Sequence, residues 1–441
     1  MGLTGLAIYK NLPKKNCNEC GVPTCLAFAM ALAAGKASLD ACPYVSDEAR
    51  EALDAASAPP IKLVKVGTGD KEVELGDETE LFRHDKTFFH PTGVGFYVDD
   101  NAADLDAKID EIADLQFDRV GQHYTVNFVA VKNTSGDAAT FAAAAEKAAA
   151  KMAVILMADD AAAQSAALDK IAAEKPLVYA ATEANYEAMV EVAKKYEVPL
   201  AVYAEGLEAL DALVEKIVAL GYKELVLDPG SRETAQVIAD MTQIRRLAVK
   251  KRHRPFGYPT IAFTSEEDPL EEELQAVAYT AKYASIVVMK DMSKARVIGL
   301  LSWRQNVFTD PQKPVAVVPN LYEIGAVTPD SPVYVTTSFS LSYYSVEGEV
   351  EASRIPSYII AIDTDGTSVL TAWAAGKFGG EHIAAAIKEY DLESKVNHKK
   401  IVIPGFVAVI AAKLKEESGW EVIVGPKEAS GISGFAKANF A

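Results

Sequence analysis

Ala153-Val154-Ile155-Leu156-Met157-Ala158-Asp159-Asp160 is an unbroken apolar run closed by two acids, and an alanine-rich helical stretch starting near Ala163 follows it. Such a run suits a strand buried on both faces, as a parallel sheet requires. The same unit recurs in both directions along the chain. Apolar runs stand at Val94–Val98, Thr125–Val131, Leu177–Ala180, Leu200–Tyr203, Glu224–Asp228, Thr260–Phe263 and Ile286–Met289. Helical stretches follow them from near Asp104, Ala138, Ala184, Leu207, Glu233, Leu270 and Ser293. Eight consecutive βα units predict a closed (β/α)8 TIM barrel over residues 94–312. An open doubly wound sheet ranks second, because it rarely repeats one unit eight times without interruption.

Outside the barrel the rhythm changes. Pro311 and Pro314 close it, and residues 313–441 form another α/β layout. Its strand candidates are Val315–Val318, Val333–Thr337, Tyr358–Asp363, Ile401–Ile403 and Val422–Val424, with helices at Glu381–Tyr390 and Phe406–Glu417. On the other side, residues 58–93 read as a linker at Ala58-Pro59-Pro60 and a small β-hairpin region. Residues 1–57 read as short helices holding every cysteine. The fold class is therefore α/β multidomain.

The charge narrows the function. Forty-four basic and 62 acidic residues leave a net −18, which repels phosphate backbones and excludes nucleic acid as a natural partner. The one basic cluster, Arg245-Arg246 and Lys250 to Arg254, reads as a solvated helix end ahead of a docking patch. No stretch reaches the roughly 20 apolar residues of a membrane span, and no signal-peptide pattern opens the chain, so a cytoplasmic location is expected.

Cys17, Cys20, Cys25 and Cys42 form C-x2-C-x4-C-x16-C, and the chain has no other cysteine. In a reducing compartment such a cluster points to metal rather than disulfides. Structural zinc favours paired C-x2-C knuckles or added histidines, and the nearest histidine, His84, lies beyond the linker. A plant-type 2Fe–2S site uses the reverse order of spacings. Gly21 and Pro23 let three sulfurs converge, Leu26 to Leu32 can shield them, and Pro43 helps to hold Cys42. A 4Fe–4S cluster ranks first and zinc second.

The segment from Leu12 to Cys25, LPKKNCNECGVPTC, resembles the N-terminus of corrinoid iron–sulfur protein large subunits. The gamma subunit of the archaeal acetyl-CoA decarbonylase/synthase complex is of the same family. The resemblance continues through Glu80 to Phe88 and the turns Pro404-Gly405 and Gly425-Pro426, and so covers essentially the whole chain. It implies a methyl carrier of the reductive acetyl-CoA (Wood–Ljungdahl) pathway, a methyltransferase component. It further implies a C-terminal corrinoid (cobalamin) domain whose cobalt cycles between Co(I) and methyl-Co(III). The methyl comes from a methyl-pterin through a separate methyltransferase and passes to acetyl-CoA synthase. The cluster returns stray Co(II) to Co(I), drawing on a low-potential donor such as ferredoxin. A small subunit completes a heterodimer. The reactive centre is the cobalt, so no side chain is assigned a catalytic role.

The D-x-H-x-x-G motif that presents a histidine to cobalt is absent, and His90-Pro91-Thr92-Gly93 matches it only by chance. That agrees with the family's base-off binding without a protein histidine. The pocket is expected in C-terminal loops with small hydroxyls and backbone groups. These are Thr337, Ser338, Phe339 and Leu341 after one strand; Gly366, Thr367, Ser368 and Val369 after another; then Gly376 and Phe378; and finally Gly405 with Ala429, Ser430 and Gly431. Read without the resemblance, they are ordinary turns.

Asn127, Asp159, Asp160 and Asp228 fall where barrels place active-site groups, but the barrel is expected to be scaffold. His123 reads as a hydrogen-bonded core residue. Two rival functions stand beside the leading one: an iron–sulfur electron carrier without corrinoid, and a pterin-binding barrel methyltransferase.

Overall fold

The computed structural model describes residues 5–33, 37, 39–46, 49, 59–312 and 314–440. Most of the expected linker before Pro59 lies outside the described residues. The first strands, β1 (Val64–Val66) and β2 (Val73–Leu75), pair as an antiparallel hairpin. Eight strands then build the barrel: β3 (Gly93–Asp99), β6 (Phe128–Lys132), β7 (Ala153–Met157), β8 (Leu177–Ala181), β9 (Leu200–Tyr203), β10 (Leu225–Asp228), β11 (Ile261–Phe263) and β12 (Ile286–Met289). All pair in parallel in chain order, and β12 returns to β3 through Ile286 opposite Gly93. The ring closes through one bridge between Leu227 and Thr260, so the barrel stands and the open sheet does not.

Physical causes are visible at each layer. Apolar side chains along every barrel strand are buried on both faces. Val64, Val66 and Leu75 of the first hairpin join Phe128, Ile155, Val226 and Ile286 in the inner core, so the hairpin plugs one end of the barrel. Helices start on side-chain caps: Asp137 accepts from Thr140 N, Asp160 from Ala162 N, and Asp268 from Leu270 N and Glu271 N.

Three expectations in and around the barrel strands and the basic cluster need correction. Thr125–Val131 is not one strand, because Thr125 ends a surface hairpin of β4 (Gln116–Arg119) and β5 (Gln122–Thr125). Val120 and Gly121 both take left-handed φ, +52° and +67°, which is the turn a two-residue hairpin needs. His123 sits on that hairpin, exposed, with ring nitrogens on Asp118 and Gln116, and is no core residue. Arg245 is not solvated; it is buried against Glu78 at 2.9 Å, while Arg246, Lys250 and Lys251 are exposed.

The C-terminal sheet contains β13 (Asn320–Ile324), β14 (Val333–Thr337), β15 (Ser357–Ile362), β16 (Lys400–Ile403) and β17 (Glu421–Val424). Its spatial order is β13-β15-β14-β16-β17, with β13 antiparallel and the rest parallel. The expected strand Val315–Val318 is only a single bridge from Ala316 to Phe339, and the true edge strand is β13. Pro314 and Pro319 flank that run and lack the N–H a ladder needs. No helix among the described residues is long and apolar enough to cross a membrane.

Candidate functional site

In the C-terminal sheet the connection from β14 leads to β15 on one side, while β16 lies on the other. This reversal makes the carboxyl ends of β14 and β16 the topological switch point. β14 and β15 share five registered pairs, but β14 and β16 share only Tyr334 with Val402. Beyond that pair the strands part, and a cleft of about 300 Å³ opens.

Each wall follows from a loop. After β14, Phe339 leads into the helix Ser340–Ser353, which presents Leu341, Ser342, Ser345 and Val346 to the cleft. After β15, Asp365 and Gly366 turn with φ of +51° and +67°, and the Thr364 and Thr367 hydroxyls donate to each other's carbonyls. That turn delivers Ser368, Val369 and Leu370 to the wall. After β16, a Cβ on Gly405 would meet Gly425 O at 2.6 Å, so only glycine lets the β16 and β17 loops touch. Phe406, Lys427 and Ala429 follow along the opposite lip. The space combines apolar side chains with the hydroxyls of Thr336, Ser342, Ser345 and Ser368.

Four of the residues expected from the sequence, Leu341, Ser368, Val369 and Ala429, line this cleft. Others build its frame. Ser338 is buried, donating its N–H to Ile362 O and accepting from Thr364 N at its hydroxyl. Thr337 is fully buried at the end of β14, and its Oγ1 has no protein partner. Gly366 and Thr367 hold the turn, Phe339 precedes the helix, and Ser430 and Gly431 form the 3-10 turn beyond Ala429. Gly376 shapes a helix end, and Phe378 is buried in the core rather than in the wall. Thr336, which opens the first of the expected loops, lines it too, whereas sequence reading missed Tyr334, Ser342, Ser345 and Phe406.

The barrel mouth differs. Asp228, at the end of β10 and fully buried, accepts from Tyr179 Oη at 2.6 Å, Gly230 N at 2.9 Å and both Arg232 Nη atoms at 3.0 and 2.9 Å. Arg232 lies 4.7 Å over the Phe263 ring. Burial works against the Arg232 cation, but the Asp228 carboxylate keeps it charged; burial, then Asp228, pushes the Tyr179 phenol far up. Glu272 and Gln275 tie neighbouring loops through Lys290 N, Asp291 N and Ser265 N. Side chains at the mouth thus bind one another, with Arg232 still partly exposed. Asn127 is not at this end; it precedes β6 and accepts from Val94 N and Arg304 at the opposite rim.

The four cysteines are free thiols; Cys25 and Cys42 are buried and Cys17 is exposed. Left-handed φ at Lys14, Asn16, Asn18 and Gly21 coils their loop. Asn16 organises it: its Oδ1 accepts from Cys25 N at 2.8 Å, and its own N–H donates to Cys25 Sγ at 3.4 Å. Cys20, Cys25 and Cys42 share one apolar cluster with Ile8 and Phe28. Among the described residues no three His, Cys, Asp or Glu side chains are gathered closely enough to hold a single ion. A cubane spreads its four ligand sulfurs wider than one ion does. An all-thiolate set in an apolar shell, with an amide hydrogen bond to sulfur, fits such a cluster.

The family model described as CO dehydrogenase/acetyl-CoA synthase delta subunit matches residues 63–436. A second, described as "Putative Fe-S cluster", matches residues 12–44, which contain all four cysteines. The corrinoid/iron-sulfur protein large subunit of Moorella thermoacetica is 61% identical, covering 100% of both chains. The chain belongs to that family. The acetyl-CoA decarbonylase/synthase complex subunit gamma of Methanopyrus kandleri is 36% identical over 98% of this chain and 97% of its own. The delta-subunit model begins after the cysteine segment, whereas the alignment with the large-subunit relative spans it too. Among solved structures, the 7,8-dihydropteroate synthase of Vibrio fischeri ES114 aligns at TM-score 0.38 and 14% identity, over 55% of this chain and 97% of that one.

Proposed function

We propose that this large subunit is the corrinoid-carrying half of a methyl carrier in the acetyl-CoA pathway, paired with a small subunit. The observation that carries the reading is the cleft where β14 and β16 part, with hydroxyls and apolar walls meeting in one space at the sheet's switch point. A bound corrinoid would supply a cobalt nucleophile that takes a methyl group from a methyl-pterin, through a partner methyltransferase, and yields it to acetyl-CoA synthase. The hydroxyls of Thr336, Ser342, Ser345 and Ser368 would hold its amide groups, and Leu341, Val369, Leu370 and Phe406 would pack against its hydrocarbon. No histidine lines the cleft, so the cofactor would be held by hydroxyls and apolar walls rather than through an imidazole.

Cys17, Cys20, Cys25 and Cys42 would hold a 4Fe–4S cluster. Thiolate-held clusters reach potentials as low as about −700 mV, the range that cobalt reduction demands. A low-potential protein such as ferredoxin would feed the cluster. The Asn16 amide on Cys25 Sγ stabilises thiolate charge and so tunes that potential.

Anaerobic purification with the small subunit tests the reading. The complex is expected to carry about one cobalt and four iron per large subunit, with a base-off corrinoid spectrum. Iron without cobalt, even after cobalamin is supplied, would leave an electron carrier and overturn the proposal.

A further inference from the structure

The cysteine segment differs in charge from the rest of the molecule. Residues 1–46 carry four lysines against two acids, Glu19 and Asp40, in a chain whose net charge is −18. Lys14 and Lys15 stand just before Cys17, and all three are exposed. Each of these lysines is held by a ring. Lys14 Nζ lies 5.6 Å from the Tyr9 centroid, and Lys15 Nζ lies 3.7 Å from that of Tyr44. Glu19, the one acid of this loop, accepts from Tyr44 Oη at 2.7 Å.

The same segment exposes large apolar side chains. Leu6 is 66% exposed, Met30 58% and Leu26 43%, while Ile8, Cys25, Phe28 and Ala29 fill the segment's own core. Leu6 and Lys10, four residues apart on the helix Gly5–Asn11, share one face of it. Leu26 and Met30 share a face of the helix Cys25–Ala33 for the same reason. The two helices touch at Gly5, where a Cβ would run into Met30 Sδ, and this sets Leu6, the next residue, near Met30. Single exposed leucines mean little. An adjoining group bordered by lysines is the anatomy of an interface, with an apolar centre inside a charged rim.

We infer that this face docks an acidic one-electron carrier protein, with Leu6, Leu26 and Met30 at the contact and Lys10, Lys14 and Lys15 at its border. Charge selects the partner. The remainder of the chain is strongly acidic and repels such a carrier, so the field of the whole molecule steers it to the cysteine segment. The inference rests on the cluster reading above and names the surface through which the cluster would be recharged. One electron leaves the carrier, which is oxidised, and enters the cluster, which is reduced. No bond is made or broken and no proton moves.

The test uses the complex with the small subunit, and an acidic bacterial ferredoxin as the probe. Binding is measured by calorimetry, and cluster reduction by visible bleaching after rapid mixing. Lys10→Glu, Lys14→Glu and Lys15→Glu combined are expected to weaken binding by about tenfold or more at low salt and to slow reduction in step. Added salt should narrow the gap. Lys250→Glu combined with Lys251→Glu, in the basic cluster on the barrel, should change neither. Met30→Ser alters no charge and no thiolate, so it carries the test even if charge reversal costs iron. It is expected to weaken binding by about threefold to tenfold with iron content unchanged. An equal loss from the barrel pair, or full affinity in both cysteine-segment variants, would overturn the inference. So would a parent complex that pairs with a second copy of itself through this face, seen as a larger species that Met30→Ser abolishes. A parent that holds iron but binds no ferredoxin would overturn this inference alone, and a parent without iron would overturn the cluster reading with it.

Discussion

The barrel mouth and the C-terminal cleft are the same kind of place, the carboxyl end of a parallel sheet, yet one is shut and the other open. At the mouth, Asp228 gathers Tyr179, Gly230 and Arg232, and Arg232 lies over Phe263. The strands there follow one another in chain order around a ring closed between β10 and β11 by a single bridge, and the side chains of their loops satisfy one another. In the C-terminal sheet the order reverses at β14, only one pair joins β14 to β16, and the loops diverge. Parallel strands alone do not make a site; the space their loops leave does.

The sharpest way to break this contrast is to fill the open end. Ser345 is exposed on the cleft wall, so Ser345→Trp adds bulk there without disturbing the core. Corrinoid affinity is expected to fall by more than about tenfold, equivalent to about 1.4 kcal/mol, with the unfolding midpoint unchanged. Retained affinity in an equilibrium titration would place the ligand elsewhere. At the shut end the expected effect is on stability. Asp228→Asn removes the charge that holds Arg232 and is expected to cost about 1.5–3 kcal/mol in denaturant unfolding, with corrinoid affinity unchanged. A mouth that binds substrate would show the opposite split.

The smallest effect is one of pH. Asp291, in the loop after β12, accepts from Arg296 Nε at 2.6 Å, and that bond holds its carboxyl below the usual range. A depressed folded pKa gives stability that is present above the unfolded carboxylate value and is lost as pH falls through the folded one. Asp291→Asn should therefore melt slightly below the parent at neutral pH, and the gap should close in acid. A gap that widens in acid would mean that Arg296 is not the partner that matters.

Much of this contrast was legible in the sequence, and the part that was not has a physical reason. Both-face burial writes itself as continuous apolar runs, so the barrel could be read from Ala153–Met157 and its repeats. The hairpin at 116–125 could not, because QFDR and QHYT mix charge and polarity around a turn whose only cue is Gly121. β13 was displaced in the reading because the apolar run Val315–Val318 is flanked by prolines, while the half-exposed Asn320–Ile324 alternates weakly. The cleft's loops were legible as segments after strands, which is how Leu341, Ser368, Val369 and Ala429 were found. Which hydroxyl faces the space depends on where β14 and β16 part, and no local pattern records that. The cysteines show the reverse case, since their spacing spoke for chemistry while the role of Asn16 appeared only in the fold.

The central claim is that the open switch point, and not the barrel, holds the cofactor. An anomalous difference map collected at the cobalt edge, from crystals of the anaerobic complex, tests it most directly. The account predicts one cobalt peak over the cleft, between Leu341 and Phe406. A cobalt peak at the barrel mouth beside Arg232, or none in a complex that carries cobalt in solution, would contradict it.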